Sequence, residues 1–486
     1  MVFSSLVFLY GFFSLSLLAY GLCRSQKQQN VVLLISSLIF YGWGEPKYLL
    51  LLMFMALSSW FCALAVEGAK TQSRKKLWVA VAAVVDISLI GYFKYAGFLC
   101  SIFGNVPEFV KNIVLPIGIS FYTFQLLTYV VDVYRGDAQA QKSYWNVLLY
   151  AALFHQCVAG PIVRYKTIDR ELFSGEPRQT ELARGVARFA CGLAKKALLA
   201  NPCGALADEM ILSTTAMGDI TQLASNLAAL ESVPVLGAWL GIAAYTLHIY
   251  LDFSAYSDMA IGMGQMLGLH YLENFNYPYI SRTITEFWRR WHISLGTFFR
   301  DYVYIPLGGN RGSKLRVVVN TFVVWALTGL WHGASWNFVL WGLWYFLFLM
   351  LERQLLKPWL EKTPVLSNLY VMLVVMLGWV IFRFTNTQLL WTMVKSLFGA
   401  NGNVFTDFIV EIQFKSNSIL LLVSALVCTP IVPWIGKKVG QYAQTYPGLR
   451  RVWETAVYGV IPPLLLLLST ACLVGDSYNP FIYFQF

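Results

Sequence analysis

Long apolar blocks, separated by short polar and basic links, repeat from one end of the chain to the other. A helix that crosses a bilayer needs roughly 20 mostly apolar residues. The blocks at 3–22, 31–43, 47–66, 77–95, 113–133, 144–163, 183–200, 234–251, 254–269, 317–330, 334–351, 366–384, 418–434 and 456–474 meet or approach that need. Those at 31–43 and 317–330 are short and suit tilted, broken or re-entrant pieces. The pattern predicts an all-α, polytopic integral membrane protein with about 11 to 13 transmembrane helices plus re-entrant or interfacial ones. It reads as a single membrane-embedded domain over 1–486, with a motif-bearing core near 42–384 and C-terminal helices over 385–486. The first block lacks a basic start and a small-residue cleavage site, so it reads as a retained helix rather than a signal peptide.

Composition agrees. The 486 residues are 57% hydrophobic and 13% charged, against roughly 25% charged in a typical soluble domain. The net charge of +11 sits in short loops, which points to the positive-inside rule rather than to nucleic acid. "CRSQKQQN" (Cys23–Asn30) and "EGAKTQSRKK" (Glu67–Lys76) are both basic and lie two blocks apart, so both face the cytoplasm and the N-terminus lies outside. "GNRGSKLR" (Gly309–Arg316), "ERQLLK" (Glu352–Lys357) and "GKKVG" (Gly436–Gly440) are further cytoplasmic candidates. The eight cysteines form no C-x-x-C pair and suit small buried hydrophobes.

The stretch Leu272–Lys314 is too polar to span lipid and too rich in Trp, Tyr and Arg for a free loop, a mixture that suits the membrane interface. Glu286 and Arg290 have the i, i+4 spacing of a supporting pair. Of the five histidines, His332 stands out. Basic loops flank its segment on both sides, Lys314 and Arg316 before, Arg353 and Lys357 after. The chain therefore enters the membrane at Val317 and returns by Leu351, with His332 near the apex. From Arg316 to His332 is about 24 Å of helix, against a hydrocarbon core of about 30 Å. Gly329 and Gly333 permit a break or a close approach. A buried, near-neutral imidazole is a good general base, whereas a neutral histidine bonded to a backbone carbonyl is the ordinary alternative. His292, in the interfacial stretch, fits either a second catalytic histidine or a helix-to-helix hydrogen bond. Two histidines fall short of the three protein ligands of a catalytic zinc, so no metal site is expected; Asp252 and Asp258 keep a metal as a minor alternative.

"EFWRRWHISLGTFFRDYVYIPLGGNRG" (Glu286–Gly312), followed by "TGLWHGASWNFVLWG" (Thr328–Gly342), resembles the membrane-bound O-acyltransferase (MBOAT) family, and more narrowly its AlgI-like branch of alginate O-acetyltransferase membrane subunits. "LPIGISFYTFQLLTYVVDVYRG" (Leu115–Gly136), "VAGPIVRY" (Val158–Tyr165), "GLAKKALLAN" (Gly192–Asn201), "YLDFSAYSDMAIGMGQMLG" (Tyr250–Gly268) and "GWVIFRF" (Gly378–Phe384) are similar to the same branch. The resemblance implies helices ringed around a central catalytic tunnel, and it puts the family's motif histidines at His332 and His292. The chain departs from the branch at His155 (usually Pro), His248 (often Gln) and Asp86 (usually Asn). Asp86 and Lys94 have a spacing that permits a long-range pair.

What the resemblance implies is an O-acyltransferase of the bacterial cytoplasmic (inner) membrane, with acetyl as the expected group. No tightly bound cofactor is expected; acetyl-CoA or another acyl thioester is the donor substrate. His332 would deprotonate a hydroxyl, and His292 would orient the acceptor or polarise the carbonyl. Arg289, Arg290, Arg311 and Lys314 would hold donor phosphates, with lipid head-group contact as the alternative. Trp331, Gly333, Trp336, Asn337, Tyr256 and Asp258 would line the tunnel. Partners would be the lipid bilayer, an extracytoplasmic acetyltransferase-like protein and a polysaccharide such as alginate, with no nucleic acid. The rivals are D-alanyl transfer to teichoic acid, as in DltB-like proteins, and a polysaccharide or lipid transporter. Transporters often carry internal repeats, and the sequence shows none.

Overall fold

The structure, a computed structural model, describes residues 2–475 apart from 159, 177 and 179. The end of the expected C-terminal region, 476–486, lies outside the described residues. Every regular element among the described residues is helical. Seven helices are long and apolar enough to cross a membrane, or eight if the bent pair Phe408–Ser416 and Ser418–Val427 counts as one span. That is fewer than the expected 11 to 13. The difference lies in blocks that fold as shorter or irregular pieces. The first block forms only the helix Val7–Gly21. The block at 144–163 forms a nine-residue helix, Tyr144–Ala152, followed by buried irregular backbone. There Gln156 donates to the Tyr150 carbonyl (2.7 Å) and the Tyr150 hydroxyl to that of Val163 (2.9 Å). Internal bonds of this kind let non-helical chain survive away from water.

The backbone divides into two compact units. The first comprises residues 1–192, 256–273 and 461–463. Its long helices α1 (Pro46–Gly68), α2 (Gln72–Ile90) and α3 (Ile119–Arg135) pack on one another. Gly118 opens α3 in a left-handed conformation (φ 76°), and a Cβ there would collide with the Cys157 carbonyl, so glycine is required on two counts. Lys94 does not pair with Asp86. It reaches Ser120 at 3.1 Å, and neither oxygen of the fully buried Asp86 carboxyl has a hydrogen-bond partner among the described residues. Helix α4 (Leu182–Ala194) meets the segment after Tyr256 through Gly185 and Gly262, each of whose missing Cβ atoms would strike the other's carbonyl oxygen.

Helix α5 (Val235–Met266) merges two expected spans, 234–251 and 254–269, into one 32-residue helix. The polar step that suggested a break is Asp252. Its carboxylate lies 2.6 Å from Lys196 Nζ, with both side chains almost fully buried, so the charge is compensated inside the protein and the helix has no reason to end.

The second unit comprises residues 193–255, 274–460 and 464–486. It contains the short helices α6 (Ile284–Arg290) and α7 (Ile293–Phe299), then three long ones: α8 (Lys314–His332), α9 (Trp336–Leu351) and α10 (Pro364–Arg383). Helices α8 and α9 form a tight antiparallel hairpin. A Cβ at Gly329 would meet the Phe338 carbonyl, one at Gly342 the Trp325 carbonyl, and each would lie 3.4 Å from the other glycine's Cα. Two bare Cα positions therefore let the helices nest. The end of α10 is fixed by Arg383, which donates to Asp208 (2.7 Å) and stacks over Tyr245 (4.6 Å to the ring centroid).

Candidate active site

Helix α8 ends on His332, Gly333 is extended (φ −172°, ψ 159°), and α9 starts at Trp336. At about 1.5 Å per residue, the 19-residue α8 is about 28 Å long. His332 therefore stands at the far end of the helix from Lys314, at the apex that the basic flanks indicate. Only 8% of its surface is exposed. Its ring contacts Trp331 and Trp341, both with centroids at 4.9 Å, and Phe382 at 5.3 Å. Phe382 is brought there by Asn337, whose amide donates to the carbonyls of Ile381 (3.2 Å) and Phe382 (3.1 Å). Gly333 has a packing task, because a Cβ there would enter the ring of Phe338.

His292 sits in the turn between α6 and α7. Thr283 caps α6 by accepting from the Glu286 N–H (2.9 Å), and Glu286 makes the expected pair with Arg290 (2.9 Å). At His292 the backbone is left-handed (φ 43°, ψ 57°), a strained state for a non-glycine residue that persists only where its surroundings impose it. Those surroundings are Asn274. Its side-chain oxygen lies 3.2 Å from His292 Nδ1 and accepts from the Ser294 N–H (3.1 Å) and hydroxyl (2.9 Å), while its carbonyl accepts from the Ile293 N–H (2.9 Å). His292 is 1% exposed, and its Nε2 has no hydrogen-bond partner among the described residues. Burial pushes its pKa down to about 3, so the ring is neutral. Trp331 contacts both histidines, with ring centroids 5.7 Å from His292 and 4.9 Å from His332.

The remaining expected site residues are placed as follows. Trp331 and Asn337 are buried at the apex, whereas Trp336 is 54% exposed. Tyr256 and Asp258 belong to the first unit, where Tyr256 stacks on Phe3 (4.2 Å) and Asp258 accepts from Arg188 (2.7 Å). Asp252 and Asp258 are thus both engaged in ion pairs. Arg311 lies exposed in the turn before α8 and Lys314 is the exposed first residue of that helix, and Arg289 is exposed at the end of α6, where Arg290 is held by Glu286.

The chain matches the family profile described as "MBOAT, membrane-bound O-acyltransferase family" over residues 13–394. The chain belongs to that family. It is 37% identical to the "Probable alginate O-acetylase AlgI" of Azotobacter vinelandii over the full length of both chains. It is 29% identical to the "Peptidoglycan O-acetyltransferase" of Helicobacter pylori, over 83% of this chain and 80% of that one. With the "Teichoic acid D-alanyltransferase" of Bacillus subtilis it shares 27% identity, over 52% of this chain and 62% of that one. The protein is therefore a multi-pass membrane O-acyltransferase. Such chemistry needs a group that removes a hydroxyl proton as the acyl carbon is attacked, and a histidine imidazole is suited to that. Asn274 is a site residue that the sequence reading did not single out. Its one signal was a polar residue in an aromatic run, "LENFNYPYI".

Proposed function

We propose that this MBOAT member is an O-acetyltransferase that moves acetyl from a cytosolic thioester to a hydroxyl acceptor on the other side of the bacterial cytoplasmic membrane. The observation that carries the reading is His332 at the apex of a helical hairpin, surrounded by rings, one of which, Trp331, also contacts His292. Full-length similarity to an alginate O-acetylase supports acetyl as the group and a polysaccharide, or a partner protein's hydroxyl, as the acceptor. His332 takes the acceptor's hydroxyl proton. The oxygen attacks the thioester carbonyl, the O–C bond forms as the C–S bond breaks, and the proton passes to the departing thiolate. His292 orients the acceptor or polarises the carbonyl. Arg289, Arg311 and Lys314 contact donor phosphates, with Arg290 already committed to Glu286. The loops Cys23–Asn30, Glu67–Lys76 and Gly309–Arg316 face the cytosol, and the N-terminus lies outside.

Deleting the gene and analysing surface esters tests this reading. Loss of acetyl esters from a surface or secreted polysaccharide is the expected result. Loss of D-alanyl esters replaces acetyl by D-alanine, and unchanged esters with a lost export product reject acyl transfer.

A further inference from the structure

The turn at His292 decides which of its two roles it can play. The Ser294 backbone N–H lies 3.1 Å from Asn274 Oδ1. A backbone N–H only donates, so the atom facing it is the amide oxygen; flipping the amide would set two donors against each other. The same oxygen is 3.2 Å from His292 Nδ1, so Nδ1 carries the proton. The Ser294 hydroxyl, 2.9 Å from Oδ1 and 3.4 Å from Nδ1, spends its hydrogen on Asn274 and turns a lone pair to the ring. A neutral imidazole holds one proton. Nε2 therefore bears a lone pair, and this buried atom has no partner among the described residues. A buried polar atom left unsatisfied costs roughly 1–3 kcal/mol, a cost that a hydrogen bond from an incoming hydroxyl removes.

We propose that Asn274 is a positioning residue that holds His292 as the Nδ1–H tautomer, so that Nε2 accepts the hydrogen bond of the incoming acceptor hydroxyl. This rests on the reading of the protein as a hydroxyl acyltransferase. It removes the alternative in which His292 polarises the thioester carbonyl, because that role needs a donor at Nε2. The side chains around His292 (Phe253, Phe275, Trp331, Asn274 and Ser294) carry no charge. None of these side chains converts Nε2 to a donor.

The test uses the full-length protein with Asn274→Leu and Asn274→Asp. The leucine removes the acceptor at Nδ1, and transfer falls by up to about tenfold, the scale of one lost orienting hydrogen bond and no more than the loss in His292→Ala, mostly as a higher KM for the acceptor. The aspartate keeps an oxygen at Nδ1 and adds a negative charge that raises the imidazole pKa. Above that pKa the ring is neutral and transfer returns to within a few-fold of wild type; as pH falls through it, Nε2 gains a proton and transfer is lost. The His292 pKa itself, read by nitrogen NMR titration, therefore moves up, which a merely structural asparagine would not produce. Nitrogen NMR of histidine-labelled protein, with His292→Gln identifying the signal, reads the tautomer without activity. It shows Nδ1–H in the wild type and the aspartate variant. An Nε2–H signal at wild-type His292, or an aspartate variant whose His292 pKa is unmoved in the same titration, overturns the proposal. If the wild type transfers no acyl group while the Nδ1–H signal is present, the functional reading fails and the positioning role of Asn274 stands.

Discussion

The hairpin apex and the turn at His292 each present a buried histidine beside Trp331, and they do so by different means. At the apex the helix itself ends on His332, and its ring meets three aromatic rings, Trp331, Trp341 and Phe382, in T-shaped contacts. At the turn the backbone is forced into a left-handed state and a polar set, Asn274 with Ser294, fixes one ring nitrogen. The difference suits different tasks. A group that gains a proton during reaction benefits from dry aromatic surroundings, which exclude water and attract the imidazolium by up to about 2 kcal/mol when desolvated. A group that only accepts a hydrogen bond benefits from a fixed tautomer.

The comparison is broken most severely at the apex. His332→Ala should lower transfer by about 10²–10⁴-fold, the range of general-base catalysis, with membrane insertion unchanged as measured by protein yield in the membrane fraction. A loss below about tenfold would take the base role away from His332. His292→Ala should cost less, about tenfold or somewhat more, as expected for a lost orienting hydrogen bond; rates at wild-type level in well-expressed protein would leave His292 a structural part only. Gly333→Leu should act on stability, because its side chain enters the Phe338 ring. We expect about 1–3 kcal/mol of destabilisation from overpacking, seen as earlier thermal unfolding in detergent. A stable Gly333→Leu variant with blocked transfer would instead make Gly333 part of the acyl path. The smallest effect concerns pH. Burial holds the His292 pKa near 3, so between pH 5 and 8 this ring stays neutral, and the acid limb of the wild-type profile should keep its midpoint in His292→Gln.

Much of the apex was legible in the sequence because its signals are local. Basic residues at both ends of 317–351, glycines around one histidine and an apolar run give a hairpin without knowledge of the rest of the chain. The same holds for Glu286 and Arg290, four residues apart on one helix. What the sequence hid is non-local. The split read at Asp252 dissolves once Lys196, far earlier in the chain, is found against it. The block at 144–163 looks like a span by hydropathy, yet most of it is irregular chain whose polar groups are satisfied internally. Asn274 has no periodic pattern to announce it, since its partners His292 and Ser294 lie beyond an intervening helix. Gly333 looked like room for a substrate because sequence cannot show that a ring from Phe338 occupies the space.

The central claim is that His332 is the base of an acyl transfer to a surface acceptor. The most direct measurement complements a deletion strain with wild-type or His332→Ala protein at matched amounts in the membrane and quantifies ester-linked acetyl on its surface and secreted polysaccharides. The account predicts full restoration by the wild type and none by the variant; restoration of the ester by His332→Ala would contradict it.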